Sequence, residues 1–423
     1  MVHHFQYRGG QMFAEDVALA EIADEIGTPF YCYSGATFRR HLRVMTEAFS
    51  GIDTLVAYAM KANSNQAMLA IAAQEGVGAD VVSGGELERA LRAGIPGERI
   101  IFSGVGKTRA EMAAGLAAGI LCFNLESEPE LERLDGVAAE MGVVAPVSVR
   151  INPDVDAKTH AKISTGKSEN KFGIPYGRAE AVYARIAASA NLRAVGVDMH
   201  IGSQITDLEP FENAFALLAA LAGRLRAAGH AIEHVDVGGG LGIPYRADNS
   251  PPPDPVDYAK VVRRHVGPLG CRLVIEPGRL IAGNAGVLVT GVEYVKRAGE
   301  KRFVIVDAAM NDLIRPTLYE AEHDVLPLVE AGAGTRTVRA DIVGPVCETG
   351  DYLALDREMA EPAEGDRLVV MSAGAYGAVM SSTYNTRPLI AEVLVEGDRW
   401  HAVRPRQRIE DLIGMDRVPE WLG

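Results

Sequence analysis

Cysteine is scarce in this chain of 423 residues, and the four present, Cys32, Cys122, Cys271 and Cys347, are widely scattered. There is no CxxC pair and no Cys/His cluster. Neither a zinc site nor a disulfide framework is indicated, so no metal is expected and most of these thiols read as buried and reduced. Positive charge is in deficit: 42 Lys and Arg stand against 56 Asp and Glu, a net charge of −14. An acidic chain is a poor general binder of nucleic acid or of anionic membranes, although it can still hold a local basic pocket for a small anion. Long hydrophobic runs are missing too. The stretch MAAGLAAGILCF (112–123) falls short of the roughly 18–20 apolar residues that span a bilayer and carries two glycines. The opening MVHHFQYRGG has no apolar core of the kind a secretory signal needs, so a cytoplasmic location is expected.

What is there suits a globular protein of two domains: 48% hydrophobic and 23% charged residues in a length too great for one small core. From residue 54 a strand-then-helix rhythm sets in. The strand candidates are 54–60, 78–83, 99–104, 120–125, 145–152, 192–200, 232–239 and 271–278. Helical patterns lie between them, one opening with the capping box Thr108-x-x-Glu111 and another covering 210–229. Eight such units predict an α/β fold, a (β/α)8 barrel of the TIM type, with an open doubly wound sheet as the alternative. After about residue 283 strands follow one another with few helices, which predicts a C-terminal antiparallel β domain. The expected domains are 35–280 and 281–423, with residues 1–34, including the strand PFYCYS (29–34), packed on the second. Two long polar loops, 152–177 and the proline-rich 244–255, interrupt the barrel.

Chemistry collects where the predicted strands end. Lys61 closes the first, Arg150 the fifth, His200 the sixth, Gly238, Gly239 and Gly240 the seventh, and Glu276 the eighth. Each has an ordinary reading: a lysine stem reaching solvent, a surface arginine, a core histidine, a glycine turn. Five such features at one rim of one barrel are poorly explained by chance. Together they suit pyridoxal 5'-phosphate. A lysine amine condenses with its aldehyde, glycine N–H groups approach its phosphate, a histidine stacks on its ring, and a carboxylate pairs with its ring nitrogen. By contrast SGVGKT (103–108) only looks like a nucleotide-binding P-loop, because Ile101 stands where the first glycine of that motif belongs.

The stretches YAMKANSN (58–65), DVVSGGEL (80–87), NPDVDAKTHAKISTGKSENKFGI (152–174), HIGSQI (200–205) and DVGGGLGIPY (236–245) carry a specific resemblance. EPGR (276–279), MNDLIRPTLYEAEH (310–323), GPVCETGD (344–351) and SAGAYG (372–377) continue it in order. The chain resembles the fold-type III pyridoxal-phosphate-dependent decarboxylases, and most closely the branch that converts meso-2,6-diaminopimelate to L-lysine and carbon dioxide, the last step of lysine biosynthesis. The resemblance implies a Schiff base on Lys61 and a ring stacked on His200. It implies a phosphate held by Gly238, Gly239, Gly240 and the backbone of Glu276, Pro277, Gly278 and Arg279, with Ser203 and Tyr376 assisting. Glu276 would pair with the ring nitrogen. Arg279, Arg315, Tyr319, Glu348 and Tyr376 would read the amino-acid substrate. Cys347, the implied proton donor, and Glu348 would reach into the site of a partner subunit, making a homodimer with shared sites. The alternatives are another basic-amino-acid or polyamine-precursor decarboxylase, an alanine-type racemase, and a non-catalytic carrier of the cofactor. Glu276 argues against the racemase, and the β domain with its CETGD segment argues against the carrier.

Overall fold

The computed structural model describes residues 3–166, 170–247, 251–332 and 334–422. Residues 167–169 of the long loop 152–177, residues 248–250 of the proline-rich loop and residues 1–2 therefore lie outside the described residues. The chain divides into two compact units, one of residues 39–243 and 250–281, the other of 1–38, 244–249 and 282–423.

The first unit is a closed barrel of eight parallel strands: β1 (Thr54–Ala59), β2 (Gly78–Val81), β3 (Ile100–Phe102), β4 (Cys122–Leu125), β5 (Ala145–Asn152), β6 (Leu192–Asp198), β7 (His234–Asp236) and β8 (Arg272–Ile275). Two pairings close it. Phe123 of β4 lies opposite Val147 of β5, and Leu273 of β8 lies opposite Thr54 of β1. The strands are short apolar runs because helices cover their outer face and side chains fill the interior. Leu55, Ala57, Ile101, Cys122, Val195 and Val274 form one such buried cluster.

Helix starts are written into the loops that follow the strands. Ser83 caps helix Gly84–Arg92 by accepting the Glu86 N–H. The capping box of Thr108 and Glu111 opens helix Arg109–Ala117. Ser127 caps Glu128–Met141 in the same way. Each cap contributes about 1 kcal/mol and fixes where the chain turns back along the barrel. The P-loop look-alike resolves here as a strut. Lys107 is buried and donates to the carbonyls of Gly104 and Asn124 and to Glu130 Oε1, each at 2.7–2.8 Å.

The second unit is built around the long strand Gly286–Ala298. It pairs antiparallel with Phe30–Ser34, with Lys301–Val306 and with Arg367–Val370. The sheet is mostly antiparallel, but Lys301–Val306 runs parallel to Thr337–Val343, and Ala391–Glu396 runs parallel to Phe30–Ser34. Both exceptions join strands separated by long stretches of chain, which a parallel pairing needs and a hairpin does not supply. Strand Tyr352–Ala360 and the N-terminal hairpin Phe5–Arg8/Gln11–Ala14 had no counterpart in the sequence reading. In Tyr352–Ala360 the apolar opening Tyr352–Leu355 gives way to the charged Asp356, Arg357 and Glu358, so the stretch does not read as one strand over its length.

Candidate active site

Lys61 follows β1 in a single turn of 3-10 helix, Met60–Ala62. Its Nζ donates to Oδ2 of Asp80 at 2.8 Å, and Asp80 is wholly buried in β2. The sequence reading missed Asp80. It answers why a lysine can stand at the end of a buried strand, since a buried carboxylate replaces the water the ammonium loses.

The glycine loop after β7 is shaped by hydrogen bonds to its neighbours. Gly238, at φ +65°, donates its N–H to Asp236 Oδ1 at 2.8 Å and accepts from the Glu276 N–H at 2.8 Å. Gly239 donates to His200 Nδ1 at 3.1 Å. A Cβ on Gly239 would sit 2.2 Å from the Glu276 carbonyl oxygen, and one on Gly240, at φ +112°, 2.5 Å from that of Gly202. Two of the three N–H groups are thus taken by protein, and among the described residues Gly240 keeps its own unshared. Gly238, Gly239, Gly240, Pro277, Gly278 and Leu280 line a small cavity.

The Gly239 bond also fixes His200. A ring nitrogen that accepts carries no proton, so Nε2 carries it and the imidazole is neutral. Burial, then Arg150 and Lys61, push its pKa well below the usual histidine range, in agreement with a neutral ring. Arg279 NH2 donates to Ser203 Oγ at 2.9 Å, bringing two of the expected residues together. Arg150 is paired with Glu126 at 2.9 Å and lies over the Phe172 ring at 4.9 Å. The described part of loop 152–177 is tied to the same rim, since Thr165 donates to the His200 carbonyl and Thr159 to that of Ser203.

Glu276 is buried, and its Oε1 has no hydrogen-bond partner among the described residues. Asp198, Asp236 and Glu276 bring carboxylate oxygens within 4.8 Å of one another. Burial, and then the neighbouring carboxylates, raise Glu276 well above its ordinary range, while burial lifts Asp236 to about 6. For Asp236 the unfolded chain, with a carboxyl near 3.9, sheds this proton first as pH rises. The folded state then binds more protons, and this group's contribution to stability is lost between about pH 4 and pH 6. Asp236→Asn should remove that loss. In cofactor-free protein, the melting temperature of the variant minus that of the wild type should grow as pH is raised from 4 to 7. A difference independent of pH would contradict the raised carboxyl.

The remaining expected residues belong to the second unit. Arg315 is buried and opens the short helix Arg315–Tyr319, which also carries Tyr319. Cys347 and Glu348 are exposed on a turn pinned by the buried Asp351, which accepts the N–H groups of Val346 and Met310 at 2.7 Å each. Tyr376 sits at φ +55°, a left-handed conformation that costs a bulky residue energy and is found where a side chain must be aimed.

The barrel residues suit pyridoxal phosphate. Glu276 Oε1 is a buried acceptor that lacks a donor, as a carboxylate meant for a ring N–H would be. The glycine loop packs so closely on the Glu276 and Gly202 carbonyls that a Cβ on Gly239 or Gly240 would collide with them, which brings bare backbone to the small cavity, and Lys61 is the amine beside it. In sequence, residues 35–283 match the model of the pyridoxal binding domain of pyridoxal-dependent decarboxylases. The chain belongs to the pyridoxal-dependent decarboxylases. Within that family it is 54% identical over 408 residues to a diaminopimelate decarboxylase of Pseudomonas aeruginosa, covering 96% of this chain and 97% of the relative. It is similar in structure to the diaminopimelate decarboxylase of M. jannaschii in co-complex with L-lysine, with a TM-score of 0.94 at 36% identity, over 99% of this chain and 98% of the other. The Helicobacter pylori enzyme complexed with L-lysine gives 0.90 at 41% identity, over 94% and 98%. Among the described residues of this decarboxylase, no helix is long and apolar enough to cross a membrane.

Proposed function

We propose that the chain decarboxylates meso-2,6-diaminopimelate to L-lysine, working in the cytoplasm as a homodimer. The observation that carries the reaction type is Glu276, a buried acid with an unused acceptor oxygen beside the glycine loop. Full-length similarity to diaminopimelate decarboxylases, two of them seen with L-lysine, carries the substrate. Bound pyridoxal phosphate supplies the electron sink that takes up the electron pair left when the carboxylate departs as carbon dioxide.

The chain's own residues do the rest. Lys61 would hold the cofactor covalently, with Asp80 keeping its amine in place. Gly240 and the backbone of Gly278 and Arg279 would take the phosphate, with Ser203 assisting, while the Glu276 N–H, bonded to the Gly238 carbonyl, and the Gly238 and Gly239 N–H groups hold the loop in shape. Glu276 would accept from the ring nitrogen, and neutral His200 would cover one ring face without adding a second positive charge. Arg279, Arg315, Tyr319 and Tyr376 would bind the substrate's carboxylates, and Glu348 its distal amine. Cys347 would deliver the proton that replaces the lost carboxylate. An ornithine-type substrate ends in a bare amine and makes no use of an arginine there, which is why Arg315 favours the diaminopimelate reading.

Incubation with meso-diaminopimelate, ornithine, arginine and lysine, with the products identified, tests the assignment. L-lysine should form from the first, and a diamine as the main product from any other would overturn it. Arg315→Ala should lower kcat/KM for diaminopimelate by roughly 10- to 150-fold, the loss of one charge-assisted contact of about 1.5–3 kcal/mol. An unchanged kcat/KM would remove Arg315 from the substrate site.

A further inference from the structure

His323 closes the MNDLIRPTLYEAEH stretch, eight residues after Arg315. It is wholly buried. Its Nδ1 lies 2.8 Å from the Met371 carbonyl oxygen and its Nε2 lies 2.7 Å from NH1 of Arg315. A carbonyl can only accept and a guanidinium can only donate. The ring is therefore neutral, with its proton on Nδ1 and an accepting Nε2 turned to Arg315. The Arg315 guanidinium lies 4.3 Å from the centre of the Tyr245 ring, and that ring meets His323 edge to face at 5.0 Å and 76°. The backbone on either side is held as well. Arg357 donates to the His323 carbonyl, Met371 N–H to that of Asp324 at 2.8 Å, and Ala247 N–H to Asp324 Oδ2 at 2.7 Å.

A buried arginine is usually oriented by a carboxylate. A carboxylate in this place would neutralise the guanidinium and compete with an anionic ligand for it. A neutral imidazole fixes the direction of the fork without itself neutralising it, while the Tyr245 face holds its plane. We propose that His323 is the positioning residue that aims Arg315 at the distal carboxylate of the substrate, so that selectivity for a carboxylate-bearing tail depends on His323 as an acceptor. This rests on the reading of Arg315 as a carboxylate ligand, and the test separates the two.

The experiment uses the holoenzyme and two inhibitors, L-lysine, which keeps the distal carboxylate, and cadaverine, which lacks it. His323→Gln places an amide oxygen near the Nε2 position and keeps the acceptor for Arg315. His323→Asn keeps only a donor for Met371. The Asn variant should bind L-lysine roughly tenfold more weakly with cadaverine unchanged, and the Gln variant should stay close to wild type. Arg315→Ala, the control, should show the same selective loss. If Arg315→Ala leaves L-lysine binding unchanged, the underlying reading fails. If Arg315→Ala is selective but His323→Asn is not, or if Asn is tolerated better than Gln, the positioning role is refuted. Equal weakening of both inhibitors by His323→Asn would also refute it, because it would mark His323 as a support for the fold.

Discussion

Reduction of the holoenzyme with borohydride is expected to leave a pyridoxyl group on Lys61 and on no other lysine. The geometry singles it out because its amine is held at 2.8 Å by the buried Asp80 at the end of a barrel strand. By contrast the buried Lys107 already has three partners, the carbonyls of Gly104 and Asn124 and the carboxylate of Glu130. Lys61→Ala should lose both the covalent hold on the cofactor and a proton-transfer group, lowering kcat by at least about 10²–10⁴-fold. Peptide mass analysis after reduction is the direct check. Label on another lysine, or none, would sink the assignment of the whole rim, because Glu276, His200 and the glycine loop are read by their placement around this amine.

The second large effect concerns two inactive chains that restore each other. Cys347 and Glu348 are exposed in the single chain, on a turn whose backbone Asp351 holds in a defined shape. A rigid, exposed turn bearing a thiol and a carboxylate suits residues that complete a partner's site across a two-fold interface. Lys61→Ala and Cys347→Ala should each be severely impaired alone. After mixing, dissociation and reassociation, about half the dimers should contain one chain of each kind. In such a dimer the intact Lys61 of one chain meets the intact Cys347 of the other, giving one complete site and one that lacks both. Activity should return to roughly a quarter of wild type. If both residues served a site within one chain, every site would lack one of them. Mixed dimers demonstrated by mass but no more active than their parents would then rule out sharing.

Much of the rim could be read from the sequence because its residues interrupt local patterns. A lysine after an apolar run, three successive glycines after a strand, and a Glu-Pro-Gly-Arg at the next strand end each break a rhythm that the eye can follow. The residues that escaped notice were the acids within the strands. Asp80, Asp198 and Asp236 sit at or next to the last position of β2, β6 and β7, in runs that otherwise read as apolar. The signal was present, an ionisable side chain in a segment meant for burial, but its partners are distant in sequence. Asp80 finds Lys61 across the β1–β2 pairing, and Asp236 finds Glu276 across β7–β8. Arg150 was noticed, whereas its partner Glu126 was not, for the same reason.

The sequence by itself determined the alternation of strand and helix, the helix start at Thr108, the change to a β-rich unit near residue 283, and glycine at the left-handed positions 238 and 240. All of these are local: a cap, a period or a forbidden φ acts within a few residues. Only the tertiary structure decided that the eight strands close rather than fan out, because closure depends on Phe123 meeting Val147 and Leu273 meeting Thr54, pairs far apart in the chain. It also decided which N–H groups of the glycine loop remain unshared, which nitrogen of His200 and of His323 carries the proton, and that three carboxylates share one buried space. Those properties depend on who stands next to whom in a medium of low dielectric, where a neighbour 3 Å away changes a charge state and a neighbour in sequence need not be near at all.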